Sequence, residues 1–352
     1  MKLNDLINHS SEWLKGTGPN ADIVISSRIR LARNLDKVPF PHWADKKQRE
    51  ESLATIRTSL EKSGYLNKAM LLELKDLDNV DKQFLIERHL ISFEHAKSQD
   101  SKAIFIDEEE ILSIMINEED HLRIQVMQSG LNLFEAWNII NTIDDALGKE
   151  LSFAYSADWG YLTACPTNTG TGMRGSVMLH LPALVFSRQM NRVLAAIAKL
   201  HFTSRGFYGE GTEASGNFFQ ISNQVSLGHN EEEMILNING LIRQIVEQEE
   251  AGRRALLTQD RVMLEDKIWR GLGTLKSAHI ISSQETIELL SLIRLGCDLQ
   301  IIKNIDRRTI NELFILTQPA HLQKLEGKKL SSQERDLKRA ELIRNKLGAM
   351  SF

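Results

Sequence analysis

Three short apolar runs, at 103–106, 111–116 and 121–127, follow one another with only acidic turns between them. Runs spaced so closely read as consecutive antiparallel strands, and this limits the fold more than any other feature of the chain. The segment 22–33 (DIVISSRIRLAR) alternates apolar and polar residues, which predicts a further strand with arginines on one face. More strand-like runs lie at 151–155, 161–165, 176–181 and 218–225. Helical spacing marks 46–62, 81–92 (ending near His89), 131–147 with Gly148 as its stop, and 187 to about 202. Together these predict an α+β fold, a mostly antiparallel sheet lined by helices.

Past residue 230 the strand-like alternation recedes and helical signatures dominate. Ser282 with Glu285, and Ser331 with Glu334, have the spacing of capping boxes, and Gly296 suits the position just beyond a helix C-terminus. We expect a boundary near residue 255, with residues 1–255 forming the sheet domain and 256–352 an all-helical C-terminal domain. At roughly 150 residues per domain, 352 residues also suggest two units.

Composition removes several function classes. With 42% hydrophobic and 26% charged residues the chain is no disordered polyelectrolyte. A formal net charge of −4 leaves no global basic field for nucleic acid, so direct nucleic-acid binding is not expected. Cys165 and Cys297 are the only cysteines, which argues for a reducing, cytoplasmic setting rather than a disulfide framework. The first 16 residues lack the apolar core of a signal peptide, and no run approaches the ~18 apolar residues of a membrane span.

The chemistry-bearing residues cluster in four segments. Arg28 and Arg30 occupy alternate strand positions and so share a face. Read singly, each arginine is a solvated surface residue. Converging with Arg123, Arg174 and Arg205, they suit a polyphosphate, because the guanidinium fork matches phosphate oxygens and keeps its charge. Asn117-Glu118-Glu119-Asp120-His121 is a tight acidic turn that puts carboxylates near Arg123. Cys165-Pro166-Thr167-Asn168 follows a strand and builds a turn able to expose a thiol. Gly170-x-Gly172-x-x-Gly175 imitates a dinucleotide fingerprint, but a strand rather than a helix follows it, so a Rossmann site is rejected. Arg205-Gly206-Phe207-Tyr208-Gly209-Glu210 opens a glycine-rich loop whose carboxylate a loop closure can carry into a site.

SSRIR at 26–30, NEEDHLR at 117–123, CPTN-x-GTG-x-R at 165–174 and RGFYGEGTE at 205–213 occur in the order found in the phosphagen (guanidino) kinase superfamily, which the chain resembles over about two-thirds of its length. The resemblance implies transfer of the γ-phosphoryl of ATP, carried with Mg²⁺, to a guanidino nitrogen. It implies that Glu119 and Glu210 act as general bases and that Cys165, as thiolate, meets another edge of the guanidinium. It implies an ATP site formed by Ser26, Ser27, Arg28, Ile29, Arg30, His89, Arg123, Arg174, Gly175, Ser176, Val177, Met178, Arg205, Gly206, Phe207, Tyr208 and Gly209. No metal ligands on the protein itself are expected.

Only 25 residues precede Ser26, whereas small-molecule guanidino kinases carry a helical lid there; its absence leaves room for a larger acceptor. The segment Arg335-Asp336-Leu337-Lys338-Arg339-Ala340 has the RDxxRA pattern of bacterial protein-arginine kinases, where it forms a phosphoarginine pocket. Alone, those six residues read as a solvated basic helix face. Arg335 and Arg339, four apart on a helix, share a face that with Asp336 would bind a phosphorylated guanidinium. The resemblance to protein-arginine kinases implies protein substrates presenting arginine. It further implies an activator protein, a heat-shock repressor and a Clp-type protease as partners, a role in the stress response, and a homodimer or larger assembly. Two other readings stay open at this point: a kinase of a small guanidino compound, and a non-catalytic adaptor of a repressor or protease.

Overall fold

The computed structural model describes residues 2–64, 69–97, 100–206 and 215–348. β1 (Val24–Arg33) is followed by α1 (Lys46–Lys62), β2 (Ala69–Glu73), α2 (Asn79–Glu87) and α3 (Phe93–Lys97). Next come β3 (Ala103–Asp107), β4 (Leu112–Ile116), β5 (Leu122–Ser129) and α4 (Leu133–Gly148). A two-residue ladder, β6 (Tyr155–Ser156) with β7 (Gly160–Tyr161), precedes β8 (Met173–His180), α5 (Pro182–Phe186), α6 (Met190–Lys199), β9 (Phe202–Arg205) and β10 (Phe218–Asn223). The main sheet has eight strands in the order β2-β3-β4-β5-β1-β8-β10-β9, and every neighbouring pair is antiparallel. The expected sheet class is therefore present.

Alternation sorts the two faces. Ile29 and Leu31 of β1, Ile124 and Val126 of β5, Val177 of β8 and Ile221 of β10 are fully buried in one apolar core with residues of α4 and α7 (Glu231–Gln259). The opposite face carries the polar set. A second core joins α8 (Arg261–Ser277), α9 (Ser283–Asp298), α10 (Arg307–Leu316) and α12 (Ser332–Gly348) to Trp13, Met127, Met178 and Phe218, while α11 (Pro319–Glu326) packs through Ala320 in a third core with Leu6, Phe84 and Leu85. α7 runs unbroken through position 255, and the chain turns at Asp260 before α8 begins.

Several expectations need correction. The runs 151–155 and 161–165 give only the β6–β7 ladder, because this stretch wraps the end of β1 through single bridges instead of joining the sheet. The helix expected to reach 202 ends at Lys199; His201 takes a left-handed φ of 59° and turns the chain into β9. The helix expected over 81–92 stops at Glu87, and His89, at φ 60°, ends it. Gly296 lies inside α9, not beyond its end: a Cβ there would stand 2.6 Å from Ile268 Cγ2, so close helix packing explains the glycine. The caps at Ser282 and Ser331 form, with each hydroxyl accepting from the backbone N–H three residues on. β2, β9 and α5 went unread: β9 and α5 are short, and AMLLE of β2 is an apolar run without alternation.

Candidate active site

Strand register brings the arginines together. Arg28 of β1 stands opposite Met127 of β5 and Ser176 of β8, and Arg30 stands opposite Gln125 and Arg174. Ala32 faces Arg123, Ser222 of β10 faces Ser176, and Gln220 faces Arg205 of β9. Directly opposed residues project to the same side of a sheet. All five arginines thus share the face away from the α4/α7 core, across five adjacent strands.

Their charges are felt mutually. Arg28 is pushed below the ordinary guanidinium range by burial and then by Arg123, Arg174 and Arg205. Arg30 is pushed down by burial, Arg28, Arg123 and Arg174, with Glu118 opposing. Three of them have these contacts within the described residues. Arg28 Nε donates to Ser176 Oγ at 3.2 Å, Arg174 Nη2 donates to Ser222 Oγ at 3.1 Å, and Arg123 pairs with Glu118 at 2.7 Å. Among the described residues Arg30 Nε is buried with no hydrogen-bond partner. Five guanidinium groups gathered on one sheet face, with the Arg30 Nε donor buried and without a partner among the described residues, can hold a polyanion.

The acidic turn after β4 divides its labour. Glu118 is held at about pH 2: burial alone would raise it, but Arg123 and hydrogen bonds from Ser92 and Arg123 outweigh that. Glu119, next in the chain, is exposed. Asp120 Oδ1 accepts from Asn34 Nδ2 at 2.6 Å and from the backbone N–H of Ala164 at 2.7 Å. Asn34 also accepts from the His121 N–H at 2.9 Å and donates to Leu162 O at 3.0 Å. One asparagine beyond β1 therefore gathers the acidic turn and the segment that leads to Cys165.

Cys165 is half-buried at the start of a short helical turn, Pro166–Asn168, with its Sγ 3.0 Å from Thr167 Oγ1. Ser226 Oγ donates to Thr167 O and Thr169 O and fixes the turn from behind. Deeper in, Arg33 forms a buried bidentate pair with Asp144 of α4 and donates to Thr171 O at 2.9 Å. The thiol-bearing loop is thus set by side chains from β1, β5's turn and the segment after β10.

The other expected site residues divide by face. Ser26, Ser176 and Met178 lie on the arginine side, with His89 above them, and its carbonyl accepts from Gln125 Nε2 at 2.8 Å. Burial and Arg28 hold His89 at about pH 3, so its ring is neutral near pH 7. The side-chain positions of Ile29, Gly175 and Val177 turn by register to the helix-covered core, which leaves their backbone for any contact with a nucleotide. A Cβ on Gly175 would sit 2.5 Å from Ile238 Cδ1 of α7, so this glycine serves packing. Ser27 is buried and ties β1 to the β5–α4 turn, donating to Gly130 O at 2.8 Å and accepting from Asn132 N. Gly206 is buried; Phe207, Tyr208, Gly209 and Glu210 lie outside the described residues.

Two family models match this chain, one over most of the sheet region and one over the helical C-terminal region. The ATP:guanido phosphotransferase C-terminal catalytic domain matches residues 51–252, and the protein-arginine kinase McsB C-terminal domain matches residues 261–351. A protein-arginine kinase of Halothermothrix orenii is 49% identical over 348 residues, 99% of each chain.

The chain belongs to the protein-arginine kinase branch of the ATP:guanido phosphotransferase family.

A second family member, from Symbiobacterium thermophilum, is 48% identical over 99% of this chain and all of its own length. Among solved structures, the duplicated taurocyamine kinase of Schistosoma mansoni superposes with a TM-score of 0.61 at 26% identity, over 71% of this chain and 35% of that one. A lombricine kinase gives 0.59 at 25% identity, over 69% and 72%. The family fold and the eight-stranded sheet agree with the resemblance read from the four motifs.

Not every part of the family motif near the C-terminus is open to a ligand. Arg339 is 1% exposed. Its Nε donates to Thr317 O at 2.8 Å and its Nη1 to Ile281 O at 3.0 Å and to Asp336. Arg335 and Arg339 lie on one side of α12 but at different depths: Arg339 points into the helical core, where the carbonyls just past α10 and just before α9 take its donors. Arg335 is half-buried and donates to Leu330 O at 2.9 Å. Leu337 is exposed, Lys338 pairs with Glu341 and Glu326, and Ala340 is buried. Sequence reading gave no role to Asn34, Asp120, Glu118 or Ser222, although the acidic turn it singled out already contained two of them.

Proposed function

We propose that this protein transfers the γ-phosphoryl group of MgATP to arginine side chains of other proteins. The observation that carries the reading is the five-arginine face with its buried Arg30 Nε, bordered by the acidic turn and the Cys165 loop. In this reading Arg28, Arg30, Arg123, Arg174 and Arg205 bind the phosphates. Mg²⁺ enters on the nucleotide and neutralises charge on the transferring group. The arginine cluster, whose carboxylate Glu118 is already engaged by Arg123, fits a metal-bound polyphosphate.

The acceptor guanidinium is cationic, with a pKa above about 12, and a poor nucleophile. Glu119 removes its proton as the N–P bond forms and the bond from the γ-phosphorus to the bridging oxygen of ADP breaks, so that ADP leaves, and Glu210 holds a second edge. The sulfur of Cys165 faces a third position on the planar group. Catalysis is then positioning and electrostatics, as phosphoryl transfer requires.

The names of the full-length relatives support a protein acceptor. In the same reading, phosphoarginine marks direct substrates to a Clp-type protease during stress in the cytoplasm. A heat-shock repressor is among the targets and an activator protein regulates the enzyme. Arg335 and Asp336 then serve a phosphoarginine pocket in which Arg339 is the structural floor. The exposed Val262, Met263 and Trp269 of α8 support a homodimer. Among the described helices none is long and apolar enough to cross a membrane.

The test is incubation of a model unfolded protein with MgATP, followed by mass spectrometry under conditions that preserve N–P bonds. Phosphoarginine on protein is expected. Label on free arginine alone would move the enzyme to the small-guanidine class. An effect on a repressor that survives Glu119→Gln would favour an adaptor.

A further inference from the structure

The described residues before β1 form no strand, yet they set an aromatic ring against the arginine face. Trp13, in a short helical turn at Glu12–Leu14, is 2% exposed. It borders a small cavity with Ser26, Arg28, His89, Ser176 and Gln220, and meets the His89 ring edge-on, centroids 5.3 Å apart at 79°. Its indole N–H is buried and has no hydrogen-bond partner among the described residues. An indole nitrogen only donates, and buried donors are seldom left unmade without a reason.

The turn is held from two directions. Glu12 N donates to Glu109 O at 3.3 Å, and Ser11 Oγ donates to Glu110 at 3.0 Å beside Arg88. From the helical region, Asn311 Nδ2 donates to Leu14 O and Arg307 Nη1 to Gly16 O, each at 3.2 Å. The indole is therefore preorganised rather than a loose flap. The cavity it borders has room for about one water molecule. Its remaining wall is Met127 and Met178, unbranched side chains that can swing to admit a flat ring.

We propose that Trp13 contacts the purine base of the nucleotide, its N–H donating to a ring nitrogen, so that a residue anchored on the helical region sets base recognition. This rests on the ATP reading above.

Direct binding is measured by calorimetry for ATP, for 1-, 3- and 7-deaza-ATP, and for inorganic tripolyphosphate, which meets only the arginines. With wild-type protein, one of the three deaza analogues is expected to bind about five-fold more weakly than ATP, the worth of one neutral hydrogen bond. Trp13→Phe should weaken ATP by a similar factor, leave tripolyphosphate unchanged, and show no further loss with that analogue. Three deaza analogues all binding wild type as ATP does would overturn the assignment, and that result needs no variant. Equal weakening of ATP and tripolyphosphate by Trp13→Phe would also overturn it, exposing a structural role with a bound water on the indole. Failure of wild type to bind either ATP or tripolyphosphate would instead remove the ATP reading, and the Trp13 assignment with it.

Discussion

Asp120 accepts a 2.7 Å hydrogen bond from the backbone N–H of Ala164, the residue before Cys165. This bond joins the acidic turn after β4 to the loop that carries the thiol, across 44 positions of sequence. Asp120→Ala should leave nucleotide binding intact and lower kcat by about 10²-fold, because the two sides of the acceptor site lose their spacing. Asp120→Asn, which keeps an acceptor, should be milder. Separate measurement of ATP affinity and single-turnover rate checks this; an equal loss in both would show that Asp120 supports the arginine face instead.

The neighbouring glutamates should separate cleanly. Glu119→Gln is expected to lower the rate by about 10²–10⁴-fold with an unchanged melting temperature, as for loss of a general base. Glu118→Gln breaks the 2.7 Å pair with Arg123 and should instead reduce both ATP affinity and thermal stability. Parallel kinetics and melting curves of the two variants decide between these roles.

Glu118 also predicts an acid limb. Its carboxyl falls from an ordinary value of 4.5 to about 2 in the folded protein. A depressed pKa means that the unfolded chain binds the proton first, so stability rises with pH in this window. The contribution is complete above about pH 4.5 and is lost as pH falls toward 2. Denaturant midpoints should decline over that interval in wild type and less steeply in Glu118→Gln; parallel slopes would refute the assignment.

Arg30 Nε is buried and has no hydrogen-bond partner among the described residues. Arg30→Gln should weaken ATP binding by about 10–100-fold through loss of a charge-assisted contact. It should also steepen less with salt, since one fewer cation meets the phosphates. Titrations at two ionic strengths check both effects, and an unaltered affinity would place the phosphates elsewhere.

The two arginines of α12 should behave oppositely. Arg339→Ala leaves Thr317 O and Ile281 O without their donor and Asp336 without its ion pair, and should cost about 2–4 kcal/mol of stability. Arg335→Ala, with its half-exposed side chain, should melt like wild type, so that any change it makes in regulation reflects the pocket itself. Calorimetric melting of both variants makes the comparison.

Periodicity alone determined much of this protein. The alternation in 22–33 fixes Arg28 and Arg30 on one side of β1, and the acidic turns between short apolar runs force antiparallel neighbours. Motif order pointed to the guanidino kinases, and local spacing placed the caps at Ser282 and Ser331. Each of these is written within a few residues, where backbone geometry allows few alternatives. Tertiary structure decided which distant segments meet. Only the register of β1 with β5 and β8 turned Ile29, Gly175 and Val177 inward, and only packing made Gly296 a mid-helix residue. The burial of Arg339, the Asp120–Ala164 bond and the seat of Trp13 beside Arg28 are likewise long-range. Such contacts depend on three-dimensional closeness between residues far apart in the chain, which a local pattern of apolar and polar residues does not encode.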